Sequence, residues 1–317
     1  MPSTSSTVGA AMPASAKPRP ARLNGTPLMP YLLVLPATVY LAAFQVYPLL
    51  QEFWLSFTST SLLAIDNSEW VGLANYVELF ADSEFHNVIL VTLIYTLVCV
   101  VSAITLGLLS ALLLDAPFRG RGFARAAVTI PWAAPPVAVA LIAIWIYNAQ
   151  YGIFGHVLRF FGFESGMENW LDSPSLALAA VLMTTVWQIF PFASVVILAA
   201  LQGVSHEQRE AAIIDGADRL SVFKAVTWPT IRPSVMLLAL FSTIWALRRF
   251  DLVWLLTQGG PIGATNTLVI DVYRRAFVNQ QLGQAAAVGM VGVGLALIVT
   301  IIYFRYTASV EKAEQKR

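Results

Sequence analysis

Long apolar runs alternate along the chain with short segments that are rich in charged residues, Gly and Pro. A helix needs about 20 mostly apolar residues to cross the hydrocarbon core of a bilayer. Six runs meet this length, and the first, which holds Pro36 and Pro48, is expected to be tilted or broken. The pattern predicts an all-α polytopic membrane protein with six transmembrane helices. The predicted spans are 29–57, 86–114, 126–149, 175–201, 234–257 and 284–306.

The segments outside these spans divide the chain into three parts. The first part, 1–28, is rich in Pro, Ser and Ala and predicts a disordered tail. A cleavable signal is not expected there, because the apolar run that follows is long enough to span a membrane. The predicted organisation is therefore a tail at 1–28, a six-helix domain at 29–306 and a C-terminal tail at 307–317.

The composition agrees with a membrane protein and disfavours several other classes. Hydrophobic residues make up 57% of the chain and charged residues only 12%, whereas soluble domains carry roughly 25% charged residues. The net charge of +1 disfavours nucleic-acid binding. The single cysteine, Cys99, excludes an internal disulfide framework and a Cys-rich zinc site.

The distribution of Lys and Arg predicts the orientation of the helices, because positive residues accumulate in cytoplasmic connections. The two tails and the second and fourth connections hold most of the 19 Lys and Arg residues. The alternate connections hold only Arg159, Arg274 and Arg275. Both termini are therefore predicted to be cytoplasmic.

The predicted outer segment 59–85 contains no Lys or Arg but five carboxylates. Acidic residues of this kind either solvate an exterior loop or form a docking surface for an extracytoplasmic partner, and both interpretations stay open. The carboxylates are Asp66, Glu69, Glu78, Asp82 and Glu84.

The fourth connection has the pattern of two short helices that lie on the membrane surface. Acidic residues open it, Ala and Ile follow, and Gly216 is placed to end the first helix. Ser221 is a candidate N-cap of the second helix. Small apolar side chains in the first helix suit a groove of a partner protein. These side chains are Ala211, Ala212 and Ile214.

The same connection resembles the EAA loop of binding-protein-dependent ABC importer permeases. Residues 210–217 carry the complete pattern Glu-Ala-Ala-x-x-Asp-Gly-Ala, although Val226 and Trp228 depart from the family's Ile-x-Leu-Pro ending. The resemblance implies that this EAA segment, residues 204–232, is the coupling helix that sits in a cleft of an ATPase subunit. The residues implied for coupling are Glu210, Ala211, Ala212, Asp215, Gly216, Ala217 and Leu220.

Two further segments, 70–76 and 250–261, are similar to carbohydrate-type permeases of this family, the second to MalF/UgpA-like subunits in particular. The resemblance implies a MetI/MalF-like fold in the bacterial inner membrane and import of a sugar or sugar-derived solute. Glycerol 3-phosphate or a glycerophosphodiester is the alternative solute. The implied partners are a MalG-like second permease, two ABC ATPase subunits that bind ATP and Mg, and an extracytoplasmic solute-binding protein.

The chain lacks the sequence motifs of an enzyme. It has no Gly-x-x-x-x-Gly-Lys-Ser/Thr phosphate loop and no Gly-x-Ser-x-Gly elbow. Its histidines, His86, His156 and His206, are too far apart for metal-ligand spacing. No catalytic residue, metal or cofactor is therefore expected on this chain. A secondary transporter, disfavoured because no internal repeat is found, and an intramembrane enzyme are the rival classes.

Charged residues inside the fifth span are candidates for a solute pathway, because such groups usually face the bundle interior or water. Arg248 and Asp251 are three residues apart and are expected to form an intrahelical ion pair. Trp245 lies four residues before Arg249, which suits a cation–π contact. A purely structural ion pair near the outer interface is the alternative.

The fourth span holds a second group of pathway candidates. Pro191 removes the hydrogen bond to the Trp187 carbonyl, so that this carbonyl, the Trp187 indole and the Gln188 amide are expected to form a polar notch. A packing kink with a helix-bridging Gln188 is the alternative. In the sixth span, Gly289, Gly292 and Gly294 are expected to allow close approach of another helix.

Overall fold

A computed structural model describes residues 29–163 and 169–314, so the predicted tail at 1–28 lies outside the described residues. Within these ranges the chain is helical, with isolated β-bridges such as Thr58 to Trp70 and no β-strand. The helices are α1 (Met29–Leu41), α2 (Tyr47–Leu55), α3 (Ala74–Ala81), α4 (Ser83–Asp115), α5 (Arg121–Ala133), α6 (Pro136–Tyr147), α7 (Ile153–Phe160), α8 (Ala177–Gln202), α9 (His206–Ile214), α10 (Arg219–Val222), α11 (Trp228–Leu247), α12 (Asp251–Thr257), α13 (Leu268–Tyr273) and α14 (Leu282–Glu314).

Five helices are long and apolar enough to cross a membrane, and the bent pair α5–α6 makes a sixth candidate. This agrees with the six predicted spans in number. The five continuous spans are Tyr31–Leu55, Ser83–Asp115, Ala177–Gln202, Arg219–Leu247 and Leu282–Ser309. The last helix is longer than predicted, because α14 continues to Glu314 through most of the segment assigned to a tail.

The described residues divide into two units, with the boundary between Leu49 and Leu50. In the first, α1 contains Pro36 without ending there and continues into the π-helical turn Ala42–Val46, which α2 follows directly. The first span is therefore one uninterrupted helix. A π-helical turn is a common way for a helix to accommodate a local irregularity.

The second unit is built around α4 and α8, which pack closely against each other. A β-carbon on Gly107 would lie 2.6 Å from the β-carbon of Ala193, so only glycine fits at this crossing. Hydrogen bonds join the same two helices, from Ser194 to Ser110 at 3.0 Å and between the hydroxyls of Tyr95 and Thr185 at 3.1 Å. Small residues and buried hydroxyls at a helix crossing are typical of membrane bundles.

Proline bends the third span sharply. The axes of α5 and α6 meet at 93°, and Ala134 between them is extended, with ψ 135°. The residue before a proline avoids the helical region, and Ala134 precedes Pro135. The bend turns the Ala134 carbonyl away from helical pairing and makes it available to another helix.

The predicted fifth span is two helices rather than one. Helix α11 ends at Leu247, and α12 begins only at Asp251. The helical spacing on which the Arg248–Asp251 pair was predicted is therefore interrupted between the two residues.

The segments around α13 form a charged network. Nε of Arg275 lies 2.8 Å from Oδ2 of Asp271, and its Nη2 lies 3.3 Å from Oδ2 of Asp82. Nη1 of Arg275 donates to Gln284 at 3.0 Å, and Gln284 donates to Glu78 at 2.9 Å. Two of the five carboxylates in segment 59–85 are thus engaged within the chain.

Candidate functional site

A cavity of about 230 Å³ opens between α4, α8, α11 and the bend that joins α5 to α6. Gln188 lies near the middle of α8 and is only 4% exposed. Ser242, Ala246 and Arg249 follow one another along one side of α11 and its C-terminal end and line the same cavity. The bundle therefore holds a polar recess between its central helices.

Gln188 and Arg249 form the polar centre of this cavity. The Gln188 amide donates to the Ala134 carbonyl at 3.2 Å, and its oxygen accepts a hydrogen bond from Nη2 of Arg249. Nε of Arg249 lies 2.8 Å from Oδ1 of Asp251, an ion pair without hydrogen-bond alignment. The guanidinium is therefore charge-balanced, and the centre is close to neutral.

A row of three aromatic rings lines one wall of the cavity. The Trp132 and Phe192 rings lie 5.5 Å apart, and the Phe192 and Trp245 rings lie 5.2 Å apart. Aromatic faces of this kind bind flat apolar surfaces while Trp keeps an N–H donor at its edge. The cavity thus combines an apolar wall with the polar pair of Gln188 and Arg249.

The structure brings together some of the predicted pathway residues and separates others. Gln188, Trp245 and Arg249 line the cavity, and Asp251 joins them through its ion pair with Arg249. The predicted Arg248–Asp251 pair is wrong, because the helix break turns Arg248 toward a second cavity. Trp187 is 47% exposed and does not line the first cavity.

The predicted cation–π contact between Trp245 and Arg249 is also absent from the described residues. Trp245 packs its ring against Phe192 and Phe241, and the cation–π contact in this part of the chain is that of Arg232 over Tyr306. Both side chains nevertheless line the same cavity.

Most of the residues that line the cavity were not among the predicted pathway residues, and four of them shape it most. Tyr95 and Thr185 meet across α4 and α8, and Trp132 and Phe192 complete the aromatic row. A polar side chain inside an apolar run is a usable signal for the first two, because buried hydroxyls need partners. The two aromatic residues carry no such signal in apolar helices.

The EAA segment forms the predicted pair of short helices. Ser205 caps α9 by accepting from the Gln208 amide at 3.3 Å. The helix ends at Ile214, and Gly216, whose φ is +87°, follows its C-cap residue Asp215. The Ala217 amide donates to the Ala212 carbonyl at 3.0 Å. This 6→1 bond with a left-handed glycine is a Schellman C-cap.

The second helix of the EAA segment is capped by Asp218, so the expectation that Ser221 is the N-cap is wrong. Oδ1 of Asp218 accepts from the Ser221 amide at 3.1 Å. The hydrogen bonds from Ser221 lower the pKa of the Asp218 carboxyl below its ordinary value. Charged acceptors at a helix N-terminus are favourable because they meet unpaired amides.

The EAA segment presents apolar side chains to its surroundings while one ion pair fixes it to the bundle. Ile213, Ile214 and Leu220 are 61%, 85% and 57% exposed. Arg209 lies 3.4 Å from Asp115 at the end of α4. Exposed Ile and Leu side chains grouped on two short capped helices are typical of an interaction surface.

The remaining residues implied for coupling are also accessible. Glu210 pairs with His206 at 3.2 Å and is exposed. Ala211, Asp215 and Gly216 are exposed, and Ala212 and Ala217 are half-buried. No group of three or more His, Cys, Asp or Glu that could hold a metal ion occurs among the residues described.

Comparison with known proteins gives a family match over most of the chain. Residues 103–312 match the family described as binding-protein-dependent transport system inner membrane component. The sulfoquinovosyl glycerol transport system permease protein SmoG of Agrobacterium fabrum is 35% identical over 281 residues, which is 89% of this chain and 91% of that protein.

Two further relatives cover the chain equally well. The trehalose/maltose transport system permease protein MalF of Thermococcus litoralis is 35% identical over 87% of this chain and 92% of its own. The sn-glycerol-3-phosphate transport system permease protein UgpA of Salmonella typhimurium is 31% identical over 89% of this chain and 94% of its own.

Solved structures share the fold. A chain of a bacterial ABC transporter involved in the import of the acidic polysaccharide alginate superposes with a TM-score of 0.74 at 21% identity, covering 88% of this chain and 95% of that one. A chain of the bacterial alginate ABC transporter in complex with an alginate pentasaccharide-bound periplasmic protein superposes with a TM-score of 0.75 at 20% identity. The match covers 89% of this chain and 94% of that one.

Proposed function

The chain belongs to the family of binding-protein-dependent transport system inner membrane components, and from this premise we propose that it carries a neutral sugar or sugar-derived solute through the cavity around Gln188 and Arg249. Members of this family are permease subunits of ABC importers in the inner membrane and are not themselves catalytic. The charge-balanced polar centre beside an aromatic row is the observation on which the proposal rests.

The chemistry of the cavity suits a hydroxyl-rich neutral solute. Trp132, Phe192 and Trp245 offer faces to the apolar side of a sugar ring. Gln188 and Arg249 offer donors and an acceptor to its hydroxyls. Because Asp251 already neutralises Arg249, an added phosphate would meet no unbalanced positive charge.

A glycerol phosphate is the second candidate solute, since the relative UgpA is named for sn-glycerol 3-phosphate. Two arginines, Arg248 and Arg249, would suit such an anion if both faced the same site. Arg248 instead lines a different cavity. The geometry therefore favours the neutral solute.

The EAA segment is the proposed contact with an ATPase subunit. Its support is the exposed Ile213, Ile214 and Leu220 on two capped helices. ATP and Mg would be bound by that separate subunit. This chain would transmit the movement of the EAA segment to α11. A second permease would complete the pathway, and an extracytoplasmic solute-binding protein would deliver the solute.

Solute uptake by variants of α8 tests the cavity. Gln188→Leu removes the donor and the acceptor that bridge Ala134 and Arg249, and the loss of one or two hydrogen bonds to solute weakens binding by roughly 3- to 10-fold. The apparent KM for uptake of radiolabelled neutral disaccharides is therefore expected to rise by this factor at unchanged amounts of protein in the membrane.

Gln202→Leu is the matched control, since Gln202 is an exposed residue at the end of the same helix. It is expected to leave the KM unchanged. An unaltered KM in Gln188→Leu would contradict the cavity as the pathway. Stronger competition by glycerol 3-phosphate than by neutral disaccharides would overturn the proposed solute class.

A further inference from the structure

A second cavity, of about 270 Å³, lies between α2, α11, α13 and α14. Its walls are apolar side chains and glycines, apart from two charged residues, Glu52 and Arg248. Of the predicted solute-pathway residues, only Arg248 lines this cavity. The cavity is therefore separate from the site around Gln188.

The two charges of this cavity have no partner among the residues that the structure describes. The side chains of the half-buried Glu52 and the exposed Arg248 make no hydrogen bond and no ion pair there. Charged side chains within membrane-spanning segments are rare and usually mark a ligand or an ion pathway. A ligand that carries both signs would satisfy the two opposite charges that line this one cavity.

Glu52 lies near one end of the first span, beside a cluster of aromatic residues. It is one turn from the end of α2 at Leu55, and Trp54, two residues after Glu52, packs against Trp70 with ring centroids 4.8 Å apart. Phe57 stacks on the same Trp70 ring at 5.3 Å. Clustered Trp and aromatic side chains mark the membrane interface, so the charged end of the cavity lies beside it.

Small residues extend the cavity along α14, away from this interface. Gly289 lets Glu52 pack against the helix, because a β-carbon there would clash with Oε1 of Glu52. Gly292 has open space around it, and Ala296 continues the same wall. From Gly289 to Ala296 the wall is about 10 Å long at 1.5 Å per residue.

Of the three glycines that were predicted to allow close helix approach, only Gly289 thus makes a close contact. Gly289 makes a close contact, whereas a methyl group added to Gly292 or Gly294 would have no neighbouring atom within 4 Å. The prediction of close helix approach is therefore wrong for Gly292 and Gly294 within this chain. Their small size leaves a trough instead.

We propose that this cavity binds one phospholipid that has both a primary ammonium and a phosphate, namely phosphatidylethanolamine. The ammonium pairs with Glu52, the phosphate pairs with Arg248, and an acyl chain occupies the trough beside Gly292. A purely anionic lipid would satisfy Arg248 but be repelled by Glu52. A quaternary ammonium lipid would offer Glu52 no hydrogen-bond donor.

Lipid retention by the full-length chain, purified together with its native partners, tests this proposal. The protein is reconstituted into vesicles of equal parts phosphatidylethanolamine, phosphatidylcholine and phosphatidylglycerol, extracted again and measured by native mass spectrometry. The wild-type protein is expected to retain phosphatidylethanolamine several-fold above the other two lipids. Equal retention of all three lipids would overturn the proposal.

Variants separate the headgroup contacts from the trough. Glu52→Gln and Arg248→Gln are each expected to abolish the preference for phosphatidylethanolamine, and Gly292→Leu is expected to reduce retention by filling the trough. Gly294→Leu is the matched control, because Gly294 lies on the same helix in open space but does not line the cavity. Unchanged retention in Glu52→Gln or Gly292→Leu, or equal loss in Gly294→Leu, would contradict the site.

Discussion

Arg275 shows how a single cation can organise several loops. Burial alone would lower the pKa of its guanidinium, but the hydrogen bonds and charges of Asp271 and Asp82 outweigh this and raise the pKa above its ordinary value. A raised pKa contributes stability that is present below the ordinary pKa and lost only as pH rises through the folded-state pKa. Arg275 therefore stays charged and adds no pH dependence to stability near neutrality.

Removing this cation is expected to destabilise the protein strongly. Arg275→Met leaves Asp271, which is only 6% exposed, as an unpaired buried carboxylate, a change that costs about 3–5 kcal/mol. Thermal unfolding of the purified protein in detergent measures the loss. Arg274→Met alters a neighbour outside the network and is expected to leave the unfolding temperature nearly unchanged. Equal effects of the two substitutions would contradict the structural role of Arg275.

The C-cap of α9 fixes the angle between the two short helices of the EAA segment. Gly216 takes a left-handed conformation, which costs an L-residue with a β-carbon roughly 1–2 kcal/mol. No atom lies within 4 Å of a methyl group added there. Any effect of a substitution at this position therefore acts through the backbone and not through a clash.

Gly216→Ala is expected to disturb the EAA segment without removing the protein from the membrane. If the EAA segment transmits movement, Gly216→Ala lowers solute-stimulated ATP hydrolysis by the reconstituted transporter several-fold. Gly216→Asn lowers this rate less, because Asn tolerates the left-handed region. Gly122→Ala places a methyl group in open space on α5, without a positive φ, and serves as the control. Full stimulation in Gly216→Ala would argue against coupling through this turn.

Apolar run length predicts which helices cross the membrane but not where they break. The predicted span 234–257 contains no Gly or Pro that would signal a break, whereas α11 stops at Leu247, beyond which Arg249 reaches Gln188 and Asp251. That contact joins α8 to a residue 61 positions away along the chain. Local periodicity carries no information about it, so the predicted partner of Asp251 was one residue away from the observed one.

The arrangement of the complete bundle makes the predicted orientation testable by chemical labelling. Asp66 and Glu207 are exposed on connections predicted to lie on opposite sides, and Cys99 is fully buried. Asp66→Cys is expected to react with a membrane-impermeant maleimide in intact cells, whereas Glu207→Cys reacts only after lysis. The unsubstituted protein is the control and is expected to stay unlabelled. The reverse pattern would place both termini outside.

Sequence alone therefore predicted the fold class, the family and part of the cavity. Gln188, Arg249 and Asp251 were identifiable because polar groups inside apolar runs are costly and need partners. Trp132 and Phe192 were not, because aromatic residues are ordinary in such runs and their meeting depends on the 93° bend between α5 and α6. Contacts across the bundle required the structure.

One uninterrupted helical stretch runs from Arg219, within the EAA segment, to Leu247, two residues before the cavity arginine. At 1.5 Å per residue this stretch is about 40 Å long. It joins the exposed EAA segment to the aromatic row of the cavity. A small tilt imposed at Leu220 would displace Trp245 without any further relay, so a motor at one face of the membrane could reshape the recess directly.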